Sequence, residues 1–414
     1  MESLYMTSPE TVNSIPGQMK GKIPEWINGN LYRNGPGTFD LGESQYQHWF
    51  DGLGLLHKFE ISNGKVKYRS KYIRSETYKK NMAANRIVVS EFGTAAFPDP
   101  CKNIFRRIST SFQTDNTLVT VTPLRDYVYT ASEAKVIHKV DPKTLDTISA
   151  HDIEKFVVVN VASAHILRDP DGTMHNLGNS YKGAPKYSLI KIPVAPDGED
   201  VFKKAEVVGS VPFRWPNSPS YLHSFGMSDN YYVFLEQPLC INTGYLMETM
   251  LTRKTFVDCL KWHEGTKTLF HIIDKRTGEK VNPKMTYLAE PFFVFHHIST
   301  YEEDGNLVVD VSAYEDPKIL YIHYLKNLRS EQRDIYPEPT VRRYVLPLDT
   351  SVGATSGGNL VTLRIPLLAP LDRTMGRYCV ITKHCLIWVW TSHRLMMDDV
   401  GRNIDTYLEP AVRT

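Results

Sequence analysis

Three histidines stand in comparable settings far apart in the chain: His165 in VASAHILRDPDG, His223 in PSYLHSFGMSDN and His296 in FFVFHHISTYEEDG. Each lies at the start or end of an expected strand, with a turn signal and another strand close behind. Neutral imidazole is a good ligand for Fe, Zn, Cu and Ni, so a fold that brought these strands to one axis would assemble a transition-metal site. Their separation satisfies no local metal signature of the HExxH kind. An isolated strand histidine is more commonly a hydrogen-bonded core or surface residue. Glu133, in YTASEAKVIHKV, falls in an expected strand. A carboxylate buried there needs a partner, and accepting the free ring N–H of a metal-bound histidine would orient that ligand. An exposed Glu on a strand edge is the alternative. His138, a few residues on, reads as a surface strand residue.

Other chemistries lack their residues. LYRNGPGTFDLG (31–42) reads as a rigid turn and fits neither GxGxxG nor GxxxxGK[ST]. There is no GxSxG elbow. The five cysteines, at 101, 240, 259, 379 and 385, form no CxxC pair, which argues against a disulfide scaffold or a thiolate zinc site and for a reducing compartment. Forty-eight basic and 46 acidic residues leave a net charge of +2, so nucleic acid is not an expected partner. The N-terminus has no apolar signal core, and no apolar run is long enough to span a bilayer. The expected location is cytoplasmic, with attachment to one membrane leaflet left open.

The elements that must position these residues are short strands divided by turn chemistry. Turn signals stand at Asn63-Gly64, Asp141-Pro142, Asp171-Gly172, Asp229-Asn230, Thr277-Gly278 and Asp304-Gly305. Their recurrence over residues 60–314 suits a β-propeller, with a large β-sandwich as the alternative. An aromatic excess (23 Tyr, 17 Phe, 6 Trp) fits strands or the lining of a pocket for a long apolar ligand. Residues 241–263 differ: Leu246, Met247, Met250 and Leu251 approach helical spacing beside basic residues. Such a segment is either a surface helix packed on a sheet or one lying in a membrane interface. After a small, polar, Gly/Ser-rich stretch at 350–359, the turn rhythm is lost.

LYRNGPGTFDLGESQYQHWFDGLGLLHKFEISNGKVKYRSKYIRSETY (31–78), NRIVVSEFGTAAFPDPCKNIF (85–105), PSYLHSFG (219–226), FHHISTYEEDG (295–305) and VRRYVLPL (341–348) resemble the carotenoid cleavage oxygenases. The resemblance is nearest to the animal branch that cleaves β-carotene at its central 15,15′ bond. Other animal branches cleave eccentrically at 9′,10′ or isomerise retinoids. The resemblance implies an all-β, seven-bladed propeller with a helical cap. It also implies Fe(II) held by four histidines, and O2-dependent cleavage of a carotenoid double bond to aldehydes, β-carotene to retinal being the example. His165, His223 and His296 match three of the family's ligands. Glu133 matches a glutamate that hydrogen-bonds a ligand histidine, and Phe50, Tyr221 and Tyr314 match residues that line the substrate tunnel. The apolar substrate, a carotenoid or retinoid, makes 241–263 an expected membrane-docking surface and Cys101 a candidate acylation site. The family's fourth histidine, in an HGxF-type motif, has no counterpart, since His384 and His393 lie in unrelated surroundings. The chain is thus read as a C-terminally incomplete propeller (1–363) followed by a divergent tail (364–414). An eccentric-cleaving or retinoid-isomerising relative, and an inactive truncated form that binds iron weakly or merely binds carotenoid, stand as alternatives to an active 15,15′-cleaving dioxygenase.

Overall fold

The computed structural model describes residues 5–97, 114–181, 183–196, 199–245, 254–330 and 337–348, together with strand backbone at 361–364, 377–381 and 386–390. Its strands form five consecutive sheets of four or five antiparallel strands. The first orders Thr11–Pro16, Lys65–Tyr72, Leu53–Ser62 and Gly29–Thr38 side by side. The second runs from Thr120–Leu124 through Tyr127–Ala131 and Val136–Val140 to Thr147–Asp152. The third opens with two short pieces, Val161–Ala162 and Leu167–Arg168. Both pair with Met174–Ser180, and Lys186–Ile192 and Glu206–Pro212 follow. The fourth contains Gly226–Met227, Tyr231–Glu236, Thr268–Asp274 and Tyr287–Ala289. The fifth contains Phe293–Glu303, Asn306–Tyr314, Thr340–Pro347 and Val361–Arg364.

These sheets pack face to face in chain order, which is the arrangement of propeller blades. Leu56 and Ile73 of the first meet Val121 and Val128 of the second. Tyr129 and Ile137 meet Met174 and Ile190 of the third. Leu177, Leu189 and Val211 meet Tyr232 and Phe234 of the fourth. Val233, Leu235 and Ile272 meet Val309, Val311 and Leu346 of the fifth. Each such buried side chain contributes roughly 1.5–3 kcal/mol of transfer free energy, so every interface is a core in its own right. Both faces of an inner blade are buried, which is why strands such as Tyr231–Glu236 (YYVFLE) are nearly continuously apolar rather than alternating.

The turn signals become turns. Asn63 and Gly64 adopt φ of 52° and 67°, and Asp304 and Gly305 adopt 49° and 74°, the left-handed pairs a two-residue hairpin demands. At Gly278 (φ 72°) a Cβ would lie 1.8 Å from the Val208 carbonyl oxygen, so only glycine fits.

Several sequence expectations are corrected. The LYRNGPGTFDLG segment is not a turn: its first part lies in the ten-residue strand Gly29–Thr38. That strand is at a sheet edge, where Pro36 forfeits no ladder bond, and a register shift falls between Pro36 and Thr38. Glu133 lies in the connection between Tyr127–Ala131 and Val136–Val140 rather than within a strand. His138 is not a surface residue. It is 2% exposed, with Nδ1 3.0 Å from the Thr117 hydroxyl and Nε2 3.5 Å from Asp115. Strand alternation turned it inward, toward polar partners that its own neighbours in sequence do not reveal. The helices described are short: Glu76–Ala84, capped by the Ser75 hydroxyl, and the pair Lys318–Ile322 and Leu325–Leu328. Residues 254–263 continue through a short helical turn into Leu260–Trp262, which pairs with Leu239–Ile241. Leu246, Met247, Met250 and Leu251 of the expected apolar stripe, and Cys101, lie outside the described residues.

Two stability predictions follow from the buried histidines. Replacing His138 by Ala removes the partner of Thr117 and Asp115 in a dry setting. It should lower unfolding stability by about 1–3 kcal/mol, read as a shift in the denaturant midpoint at constant slope. Burial depresses His48, His57 and His323 from the ordinary 6.5 to about 4, 4 and 3, with the Arg33 charge adding to the effect at His57 and His48 itself at His323. As pH falls, the unfolded chain takes up these protons first. The contribution of these three histidines should therefore be constant above about pH 6.5 and be lost as pH falls toward 4, or toward 3 for His323. It is seen as the difference between wild type and a variant lacking one of them, because Asp51, whose carboxyl burial raises to about 7, acts in the opposite direction over the same window. The decline should be at most about 1.4 kcal/mol per pH unit for each histidine, measurable as the melting temperature across that window.

Candidate metal centre

The third, fourth and fifth sheets each contribute one imidazole at the start of their first strand. His165 sits in the break between Val161–Ala162 and Leu167–Arg168. His223 lies three residues ahead of Gly226–Met227, and His296 lies near the beginning of Phe293–Glu303. Their Nε2 atoms converge: 2.9 Å between His165 and His223, and 3.0 Å between His223 and His296. The three ring centroids are 4.6, 4.7 and 4.9 Å apart, and the rings are steeply inclined to one another. His223 and His296 are buried and His165 is partly exposed. Among the described residues this is the one cluster of three or more potential metal-ligating side chains.

Local backbone fixes each ring. Ser163 receives the His165 N–H at 3.0 Å and donates to the His223 carbonyl at 2.5 Å, tying two of the three segments together. On the fifth sheet the pairing shifts register between Val294 and His297. His296 therefore enters the cluster, whereas His297 turns away and meets the Ser224 hydroxyl through Nδ1 at 2.9 Å.

Glu133 reaches the cluster from the second sheet. One carboxylate oxygen accepts from His223 Nδ1 and from the Tyr221 hydroxyl, the latter at 2.8 Å. Donating the Nδ1–H in a hydrogen bond to Glu133 leaves the His223 Nε2 lone pair directed at the other two imidazoles. Burial pushes His223 down to about 4, His165 and His296 push it further, and Glu133 opposes them, so the ring is neutral at physiological pH. Burial first and Glu133 second hold the Tyr221 phenol far above its ordinary range, so it remains a donor. Three imidazole nitrogens converging on one point, with the His223 tautomer fixed by Glu133, fit a divalent transition metal.

An aromatic wall stands beside the rings. Phe295 lies 5.1 Å from His223 and 6.0 Å from His296 between centroids. Phe50 is 6.0 Å from Phe295, and Tyr314 is 6.4 Å from Phe295 and 6.1 Å from Phe293. Of the three expected lining residues, Tyr221 thus sits beside the cluster, and Phe50 and Tyr314 form the next layer. Phe295 and Ser163 were missed by sequence reasoning. The aromatic run FFVF directly ahead of His296 was the available signal for the first; Ser163 acts through backbone atoms, and nothing in its local sequence marks it. His384 and His393 lie outside the described residues.

Residues 6–380 match the family model described as retinal pigment epithelial membrane protein. The chain is 42% identical to human β,β-carotene 15,15′-dioxygenase, over 89% of this chain and 70% of that protein. The chain belongs to the carotenoid oxygenase family. The mitochondrial carotenoid-cleaving dioxygenase of Pongo abelii is 40% identical, over 94% of this chain and 71% of that protein. Among solved structures, a mutant of the Synechocystis apocarotenoid oxygenase superposes with a TM-score of 0.69 at 20% identity, covering 91% of this chain and 73% of that one. That likeness establishes the fold.

Replacing Glu133 by Gln keeps an acceptor but removes the charge that fixes the His223 tautomer. Titration with Co(II), followed by its visible absorption, should show metal affinity reduced by about 10–100-fold with the melting temperature of the metal-free protein nearly unchanged.

Proposed function

We propose that this chain is a non-haem iron dioxygenase that uses O2 to cleave a carotenoid double bond into two aldehydes, with β-carotene giving retinal. The observation that carries the reading is the His165, His223 and His296 triad braced by Glu133, in a chain 42% identical to a β,β-carotene 15,15′-dioxygenase. His165, His223 and His296 would hold Fe(II) through Nε2. The bound iron would supply O2 activation next to the polyene.

The protein's own residues do the remaining work. Glu133 keeps the proton on His223 Nδ1 and so keeps Nε2 free. Tyr221 donates to the same carboxylate and prevents Glu133 from rotating away. Phe295, Phe50 and Tyr314 exclude water and offer ring faces to an extended polyene, holding one double bond opposite the triad. Which bond is presented is set by the depth of this wall, so the residues that decide between central and eccentric cleavage are aromatic rather than polar.

An apolar substrate is delivered from membranes, and among the described residues no helix is long and apolar enough to cross one. Peripheral attachment is the mode this reading requires. Depositing the substrate into the tunnel would then need no passage through water.

The test is incubation with β-carotene, Fe(II) and air, followed by product chromatography. Retinal from the wild-type chain, together with loss of both product and bound iron in His296→Ala, is the expected outcome. Apocarotenals instead of retinal would move the assignment to eccentric cleavage. Full turnover and full iron content in His296→Ala would refute the site.

A further inference from the structure

On the first sheet, far along the chain from the triad, strand alternation collects cations. In KVKYRSKY (65–72), Lys65, Lys67, Arg69 and Lys71 share one face. Lys58 on the neighbouring strand stands directly opposite Arg69, and Glu60 stands opposite Lys67. Two like charges directly opposite each other across a ladder are destabilising, and Lys58 is 9% exposed.

The second sheet closes the other side. Its Asp141–Asp146 turn is pinned to the first sheet: Arg69 donates to the Lys143 carbonyl at 2.6 Å, and Lys71 donates to the Thr144 carbonyl at 3.2 Å and to Asp146 at 2.6 Å. Tyr32 adds a hydroxyl bond to the Pro142 carbonyl at 3.2 Å. This leaves a cleft of about 220 Å³ lined by Ser14, Lys58, Glu60, Lys67, Arg69 and Lys143. Glu60 is the sole carboxylate among those six. Its distance to Lys58 is 3.4 Å, longer than a well-formed charge-assisted bond. Lys71 is satisfied by Asp146, whereas Lys67 and the Lys143 ammonium have no carboxylate within 4 Å among the described residues.

We propose that this cleft is a binding site for a phosphate group, carried either by a small soluble molecule or by a lipid headgroup. Four cations against one carboxylate leave an excess of three positive charges in a preformed recess. A phosphate dianion would relieve the Lys58–Arg69 repulsion, accept from the Arg69 guanidinium nitrogens not engaged by Lys143, and accept from the Ser14 hydroxyl. The site lies between the first and second sheets and shares no residue with the triad or its aromatic wall, so occupancy and catalysis are separable.

The test uses the full chain and two probes at fixed ionic strength, with chloride as the compensating anion. Inorganic phosphate should raise the melting temperature of the wild type saturably, as mass action requires of a ligand selective for the folded state. Arg69→Gln and Lys143→Gln should each weaken the half-saturating concentration at least fivefold. Lys143 is exposed and its backbone, not its ammonium, makes the contact between sheets, so its variant keeps the fold. Lys79→Gln, whose ammonium pairs with Glu76 on a helix, should change nothing. In the second arm, phosphatidylcholine vesicles with and without phosphatidylinositol 4-phosphate are sedimented with the protein. Retention that needs the phosphoinositide and is lost in Lys143→Gln assigns the phosphate to a lipid headgroup. A response to inorganic phosphate without such retention assigns it to a soluble molecule. No saturable response to either probe, or an equal response in wild type, Arg69→Gln and Lys143→Gln, overturns the proposal.

Discussion

The hydrogen bond between His223 Nδ1 and Glu133 decides what the three converging imidazoles can do. A histidine buried among other histidines has a choice of tautomer, and only one of the two presents a lone pair at Nε2. Glu133 accepts a hydrogen bond from the Nδ1–H and removes the choice. The same carboxylate oxygen takes the Tyr221 hydroxyl, so the acceptor is itself held in place. Without this bond, His223 would still be neutral because burial makes it so, but its Nε2 would be free to carry the proton and face its neighbours as a donor. The bond crosses from the second sheet to the fourth, so the electronic state of one ring depends on how sheets that are not adjacent are set around a common centre.

That setting comes from the apolar interfaces. Each consecutive pair of sheets buries its own cluster, filled largely but not solely by middle strands such as Tyr231–Glu236 and Asn306–Tyr314. The ligand histidines lie on or just ahead of first strands and belong to none of these clusters. A conservative change in Val233 or Ile272 would act on the melting temperature, and a change in His165 would act on the site.

How much of this was legible in the sequence follows from the same division. Hairpins announced themselves through Asn63-Gly64 and Asp304-Gly305, because positive φ is a local demand met by particular residues. The three histidines were legible as candidates through their similar placement before turn signals, and the family resemblance sharpened them. His138 was misread because inward or outward facing depends on partners such as Asp115 and Thr117, which come from the segment ahead of the sheet's first strand. The 31–42 segment was misread because glycine and proline suggest turns, yet an edge strand with a register shift accepts both. Ser163 carried no sequence signal, since its contribution is a pair of bonds to backbone atoms.

The irregularities in the sheets are where the site is. His165 occupies the interruption between two short strand pieces, His223 precedes a two-residue strand, and His296 adjoins a shift in register. A regular ladder alternates its side chains and repeats its spacing, and each of the three imidazoles stands where that regularity is interrupted. Breaking the ladder at each of these positions frees backbone groups that must be satisfied elsewhere, and Ser163 and Ser224 do this, bridging the carbonyls and N–H groups next to the ligands. Serine suits the task because one hydroxyl can donate and accept at once. The convergence of the histidines therefore rests on two serines as much as on the strands themselves. Their replacement by alanine would remove that bridging while leaving every imidazole in the chain.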